Sequence, residues 1–237
     1  MAPLLLRLAD PQGDFRLVQG NCRKKLLTIG SNHHWIRPFD TVAGVGSMIP
    51  LNFCPASSVR IVSLRGPLTW NLLGRPEVMS LGDPGLLASK IFEACSATAP
   101  NLLQQSSSFV VVPHVSEVDH YQSMFPSMDV IDPRDDPIRV FARIRSAEFV
   151  FSSSLHGIVV ADSFGIPSVW LQRTIKPAGI HKFLDYFLSV GRSKWLRPYR
   201  FHKNPAKLLS QKLPAAEFFV EEVIEALSTA VLLHRSH

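Results

Sequence analysis

Cysteine is scarce in this chain: Cys22, Cys54 and Cys95 are all that 237 residues hold. Odd in number, widely separated and without metal-ligand spacing, they exclude a disulfide framework or a cysteine-built zinc site. A reducing, cytosolic setting is the simplest reading. Equally absent is any run near the roughly 18 apolar residues of a membrane span. The opening Met-Ala-Pro-Leu-Leu-Leu-Arg is too short for a secretory h-region and is soon followed by Asp10 and Asp14. No HExxH, Walker, CxxC or Gly-x-Ser-x-Gly pattern occurs, and no close carboxylate pair stands out, so no metal and no cofactor is assigned. The net charge of +6 is mild. Basic residues form no dense stripe interleaved with aromatics, which argues against nucleic-acid binding. The charge suits ordinary solubility and attraction to anionic ligands or a lipid surface equally well.

What is present is apolar residues, 46% of the chain, arranged in short β-branched runs. Strands are predicted at Lys25–Ile29, Thr41–Ala43, Val59–Ser63, Glu77–Ser80, Phe109–Val112, Asp129–Ile131, Glu148–Phe151 and Ser168–Leu171. Helical patterns fall between them at Pro67–Leu73, Gly85–Glu93, Pro137–Ser146 and Gly157–Phe164. Unalternating strands separated by helices indicate an α/β protein whose sheets are mostly parallel and covered on both faces. Residues 97–108 lose this rhythm and read as a linker. Two α/β lobes are therefore expected, 1–103 and 104–237, the second ending in a helix over Ala215–Leu233. The first 23 residues suggest no strand or helix, so the first lobe is expected to be shortened at its N-terminus.

Open α/β sheets bind ligands beyond the carboxyl ends of their strands. The unusual polar groups here repeatedly follow a predicted strand: Gly44-Val45-Gly46-Ser47, Arg65-Gly66-Pro67, Gly82-Asp83-Pro84, Pro113-His114 and Ser152 to His156. Gly46 permits close backbone approach to an anion, and a plain structural turn fits it as well. Arg65 is placed to grip a carboxylate or phosphate through paired hydrogen bonds, or to sit in a surface turn. Asp83, before Pro84 and Gly85, suits a helix N-cap. His114 reads as a ligand-facing imidazole or a satisfied strand-end residue. The richest segment is 147–171, where Ser153, Ser154, Leu155, His156 and Gly157 span the junction of a strand and a short helix expected to be amphipathic. Free N–H groups and the helix dipole favour an anion there. The same dipole disfavours imidazolium at His156, whereas a bound phosphorylated anion favours it. That is the behaviour of a general acid charged only when substrate is present; a neutral histidine capping its own helix is the competing reading.

VRIVSLRGPLTWNLLG, VMSLGDPGLL, VVVPHVSE, AEFVFSSSLHGIVVADSFGIPSVWL and HKFLDYFLSVGR occur in an order that resembles the polysaccharide pyruvyl transferase family, over roughly residues 22–200. The resemblance is greatest to the bacterial exopolysaccharide (xanthan-type) ketal-pyruvate transferases. It implies a GT-B-like fold of two Rossmann-like lobes. It also implies a reaction that moves pyruvate from phosphoenolpyruvate onto two hydroxyls of a sugar, with release of phosphate. The acceptor is then a glycan or lipid-linked oligosaccharide, met in the cytoplasm with peripheral association at the inner membrane face. On this resemblance Arg65 holds the donor's carboxylate or phosphate and His156 faces it as acid, with Leu155 lining the pocket. His114 is a candidate base, and Lys182 contacts donor or acceptor. Ser154 stands where many members carry an arginine, which the exopolysaccharide subgroup also lacks, and the family's early glycine loop has no counterpart. Two alternatives stay open: a GT-B-like glycosyltransferase using a nucleotide-sugar, and an inactive sugar-binding remnant.

Overall fold

The structure, a computed structural model, describes residues 1–16, 24–96, 107–171, 177–192, 198–199 and 212–236. Most of the predicted linker, 97–106, lies outside them. The chain forms two compact units. The first comprises Met1–Leu87, Lys176–Ser193 and Glu217–His237, and the second Ala88–Ile175 and Lys194–Ala216. The sequence reading drew one break near 103/104. The structure instead returns two C-terminal segments to the first unit, because an amphipathic pattern reveals that a helix packs but not on which sheet.

In the first unit, α1 (Ala2–Ala9), β1 (Leu26–Leu27), β2 (Thr41–Val45), β3 (Arg60–Leu64), α2 (Pro67–Leu72) and β4 (Ser80–Leu81) follow in order. The strands make one parallel sheet in the order β1-β2-β3-β4. Every residue of β2 is buried, as a strand covered on both faces requires. Its core gathers Leu27, Ile36, Val42, Val45, Leu64 and Leu73. The α1 helix corrects the expectation of no early element. Pro3 lies in its first turn and Leu5 and Leu6 are its buried residues, so its stability comes from tertiary packing rather than length.

The second unit holds α3 (Ala88–Ser96), β5 (Val110–Val112), α4 (Val118–Met124), β6 (Asp129–Val130), α5 (Pro137–Arg145), β7 (Val150–Ser152), α6 (Leu155–Ser163) and β8 (Ser168–Trp170). Its sheet is also parallel, in the order β6-β5-β7-β8. Register aligns Val111, Phe151 and Val169 across three strands, and this row packs with Tyr121, Phe149 and Leu171. The next row is Val112, Ser152 and Trp170. Pro137 opens α5 while the carboxylate of Asp136 accepts the N–H groups of Ile138 and Arg139, a side-chain cap at a proline-started helix.

The chain then supplies the first unit with α7 (Pro177–Ser189) and α8 (Val220–Arg235). Helix α8 packs against α1 and against all four strands of that sheet, while α7 packs on α2. Among the described residues no helix is long and apolar enough to cross a membrane.

Candidate functional site

The second sheet reverses its direction of growth at β5. The chain steps from β5 to β6 on one side and then to β7 on the other. Such a reversal leaves a crevice beyond the carboxyl ends of the two central strands. His114 follows β5 there, and Ser153 to His156 follow β7. The hydroxyl of Ser152 lies 2.7 Å from the Val112 carbonyl and accepts the N–H of Ser154 at 3.1 Å, which knits the two strand ends together. Ser153 makes the next link. Its Oγ accepts the His114 N–H at 2.9 Å and donates to Oε2 of Glu117 at 2.6 Å. His114 Nδ1 accepts the N–H of Ser116 at 3.3 Å and lies 2.8 Å from its hydroxyl. With Nδ1 used as an acceptor, the neutral ring carries its proton on Nε2.

Helix α6 begins at this crevice. Ser154 occupies its N-cap in an extended conformation, and no side chain caps the first turn. Leu155 is buried, His156 is half-buried, and Gly157 is pressed against the sheet. A Cβ on Gly157 would overlap the Ser152 hydroxyl and the Val112 side chain, so glycine is needed for helix and strands to approach this closely. The expected amphipathic character does not hold. Leu155 and Gly157 to Asp162 are all buried, so the burial follows no single face of the helix.

Arg65 and Gly46 come together in the first unit. Arg65 is fully buried and ion-paired through Nε to Oδ2 of Asp185 at 3.1 Å, with neither side chain exposed. Its Nη1 donates to Ser31 Oγ at 2.7 Å and its Nη2 to the Ser47 carbonyl at 2.6 Å. A Cβ on Gly46 would overlap the guanidinium, so the room expected there for an anion is taken by Arg65 itself. Asp185, on α7, also accepts the N–H of Thr69 at 2.9 Å and its hydroxyl at 2.5 Å. Gly66, the N-cap of α2, has no side chain to offer, and the carboxylate from α7 satisfies that first turn and its dipole. Asp83 is buried, and its Oδ1 accepts the Gly85 N–H at 2.9 Å ahead of a 3-10 turn at Pro84–Leu87, the capping geometry its spacing suggested. Lys182 places Nζ 5.3 Å from the centre of the Phe183 ring.

The sequence reading missed His33, His181, Asp185 and Glu117 as candidates. His33 is buried after β1, edge-on to Phe53 at 6.3 Å. Burial holds its imidazole below the ordinary 6.5, helped by His34, while the Leu51 backbone opposes and His181 and Arg65 add to the lowering. Burial likewise lowers His181, opposed by Asp185 and assisted by Arg65. Both imidazoles bind protons less well folded than unfolded. Their contribution is fully present above the unfolded value of 6.5 and declines as pH falls from there toward the folded values. The expected result is a urea midpoint that drops between about pH 7.5 and pH 5.5, and drops less in His181→Gln. Equal drops in the two proteins would remove His181 from this account.

Among the described residues, no three His, Cys, Asp or Glu side chains converge as metal ligands. Two parallel four-stranded sheets with polar groups clustered at their carboxyl ends define an α/β protein built of Rossmann-like units. Comparison narrows this: the polysaccharide pyruvyl transferase family profile matches residues 56–174, half of the chain, and the chain belongs to that family. An uncharacterized protein of Acanthamoeba polyphaga mimivirus is 28% identical over 122 residues, covering 48% of this chain and 40% of that protein's length. No solved structure matches the chain.

Proposed function

We propose that this protein transfers pyruvate from phosphoenolpyruvate to a sugar of an exopolysaccharide or its lipid-linked precursor. The product is a pyruvate ketal and phosphate is released, on a GT-B-like scaffold at the cytosolic membrane face. The observation that carries the proposal is the family match, which runs from before β3 to beyond β8 and includes the switch-point crevice with its Ser-Leu-His-Gly turn.

In this reading the uncapped start of α6 receives the donor's anionic groups, with Ser153, Ser154, Leu155 and Gly157 shaping the turn. His114 donates a hydrogen bond through Nε2. His156 protonates the methylene carbon of the enol, which becomes a methyl group as positive charge develops at the adjacent carbon. A sugar hydroxyl bonds to that carbon, phosphate leaves, and the second hydroxyl closes the ring. Arg65, with Gly46 and Asp83, organises the strand ends of the first unit.

The test is incubation with phosphoenolpyruvate and mannose- or glucose-terminated lipid-linked acceptors. Phosphate release and the mass of the glycan are followed together. Phosphate release matched by a pyruvate ketal on the acceptor is expected. Nucleotide release from a nucleotide-sugar instead would make the protein a glycosyltransferase, and silence in both assays would mark it as a binding remnant.

A further inference from the structure

Glu117 is a carboxylate standing at the switch point, half-buried, with Oε2 fixed 2.6 Å from the Ser153 hydroxyl. That hydroxyl is itself held by the backbone N–H of His114 at 2.9 Å, so the carboxylate is tied to both central strands. One oxygen is oriented by the protein, and the hydrogen bonds and ion pairs of the described residues leave Oε1 unengaged. The neighbouring imidazole of His114 is turned through Nδ1 toward Ser116, whereas the Glu117 carboxylate is turned toward Ser153. Glu117 is hydrogen-bonded into the junction of β5 and β7 through Ser153, and the segment that follows Ser153 opens α6 with His156 in its first turn. A carboxylate beside an oxocarbenium-like carbon also stabilises the charge that develops there.

We infer that Glu117 is the general base toward the sugar hydroxyl, oriented by Ser153, an assignment that rests on the pyruvyl transfer proposed above. The acceptor oxygen bonds to C2 of the enol as C3 takes a proton from His156, and the hydroxyl proton passes to Oε1 of Glu117. The bond between C2 and the bridging oxygen then breaks, its electron pair leaving with phosphate, which receives the proton from Glu117. The second hydroxyl bonds to C2, and its proton restores His156. The diol loses two protons; one ends on carbon and one on phosphate.

The experiment compares wild type, Glu117→Gln and Glu117→Ala in phosphate release, with phosphoenolpyruvate and acceptor varied separately. Glu117→Gln preserves the shape and a hydrogen-bond acceptor for Ser153, so folding is not at stake. It is expected to lower kcat by about 100-fold or more while the KM for phosphoenolpyruvate changes by less than about threefold. Added formate should restore at least about tenfold to Glu117→Ala and nothing to Glu117→Gln, where no space is opened. A Glu117→Gln enzyme within about fivefold of wild type, or one changed in KM alone, overturns the assignment while leaving pyruvyl transfer intact. A wild-type protein that releases no phosphate overturns the transfer itself, and this assignment with it.

Discussion

Arg65→Met is expected to destabilise the first unit by about 3–5 kcal/mol, because it leaves Asp185 buried without its cation. Neither side chain of the pair has any exposure, so solvent cannot screen or rehydrate the charge that remains. The loss extends beyond the pair. Arg65 also ties Ser31 and the Ser47 carbonyl, and Asp185 holds the first turn of α2 through Thr69. Asp185→Leu alone should be similarly damaging, stranding the guanidinium. The double variant Arg65→Met/Asp185→Leu should lose less than the sum of the singles by at least about 1 kcal/mol, since no uncompensated charge survives. Urea denaturation followed by circular dichroism measures all three. Strict additivity would mean that the two groups do not act as a pair. The same burial bears on function: an activity loss in an Arg65 variant is interpretable only beside its unfolding curve.

Much of this architecture was legible. Every predicted strand is found, most shifted by a residue or two and the fourth overlapping its expected range only at Ser80, because short apolar runs such as Val110-Val111-Val112 and Val150-Phe151 have few other ways to be buried. Helix α7 is absent from the predicted helices, although its sequence carries a usable signal. Phe183, Tyr186, Phe187 and Val190 are buried at helical spacing, the pattern of a covered stripe. Helix α1 was not legible, since a run of eight residues is too short to display a helical period until α8 supplies its partner. For the site, the serine and histidine cluster after β7 announced itself because polar residues between buried strands need a reason. Glu117 did not, for a lone acidic residue near a helix start is ordinary in sequence. Its significance comes from Ser153, distant in the chain and brought near only by the pairing of β5 with β7. The trap with Arg65 was of another kind. Its place after a strand suggested a ligand grip, and only the buried carboxylate of α7 reveals how much of the guanidinium is engaged within the fold.

His156→Ala should reduce kcat for phosphate release by about 10²- to 10⁴-fold with the unfolding midpoint changed little, the range for loss of a positioned general acid. Three features support so large an effect at so small a structural cost. His156 is half-buried rather than enclosed in the core, so its removal costs less than truncating a fully buried side chain. The packing of α6 rests on the neighbours Leu155 and Gly157 to Asp162, which stay in place. Alanine is also the best helix former, which protects the first turn from fraying. The kinetic signature separates the possible roles. If His156 delivers the proton, kcat falls while binding of phosphoenolpyruvate is largely kept, because the enol must be protonated only in the transition state. If it merely neutralises the donor's phosphate, KM rises and kcat follows less. His156→Asn sharpens the distinction, since an amide can still donate a hydrogen bond to phosphate but cannot protonate carbon. An asparagine variant as slow as the alanine variant supports the acid, whereas one near wild type reduces His156 to a phosphate ligand and moves the proton donor elsewhere.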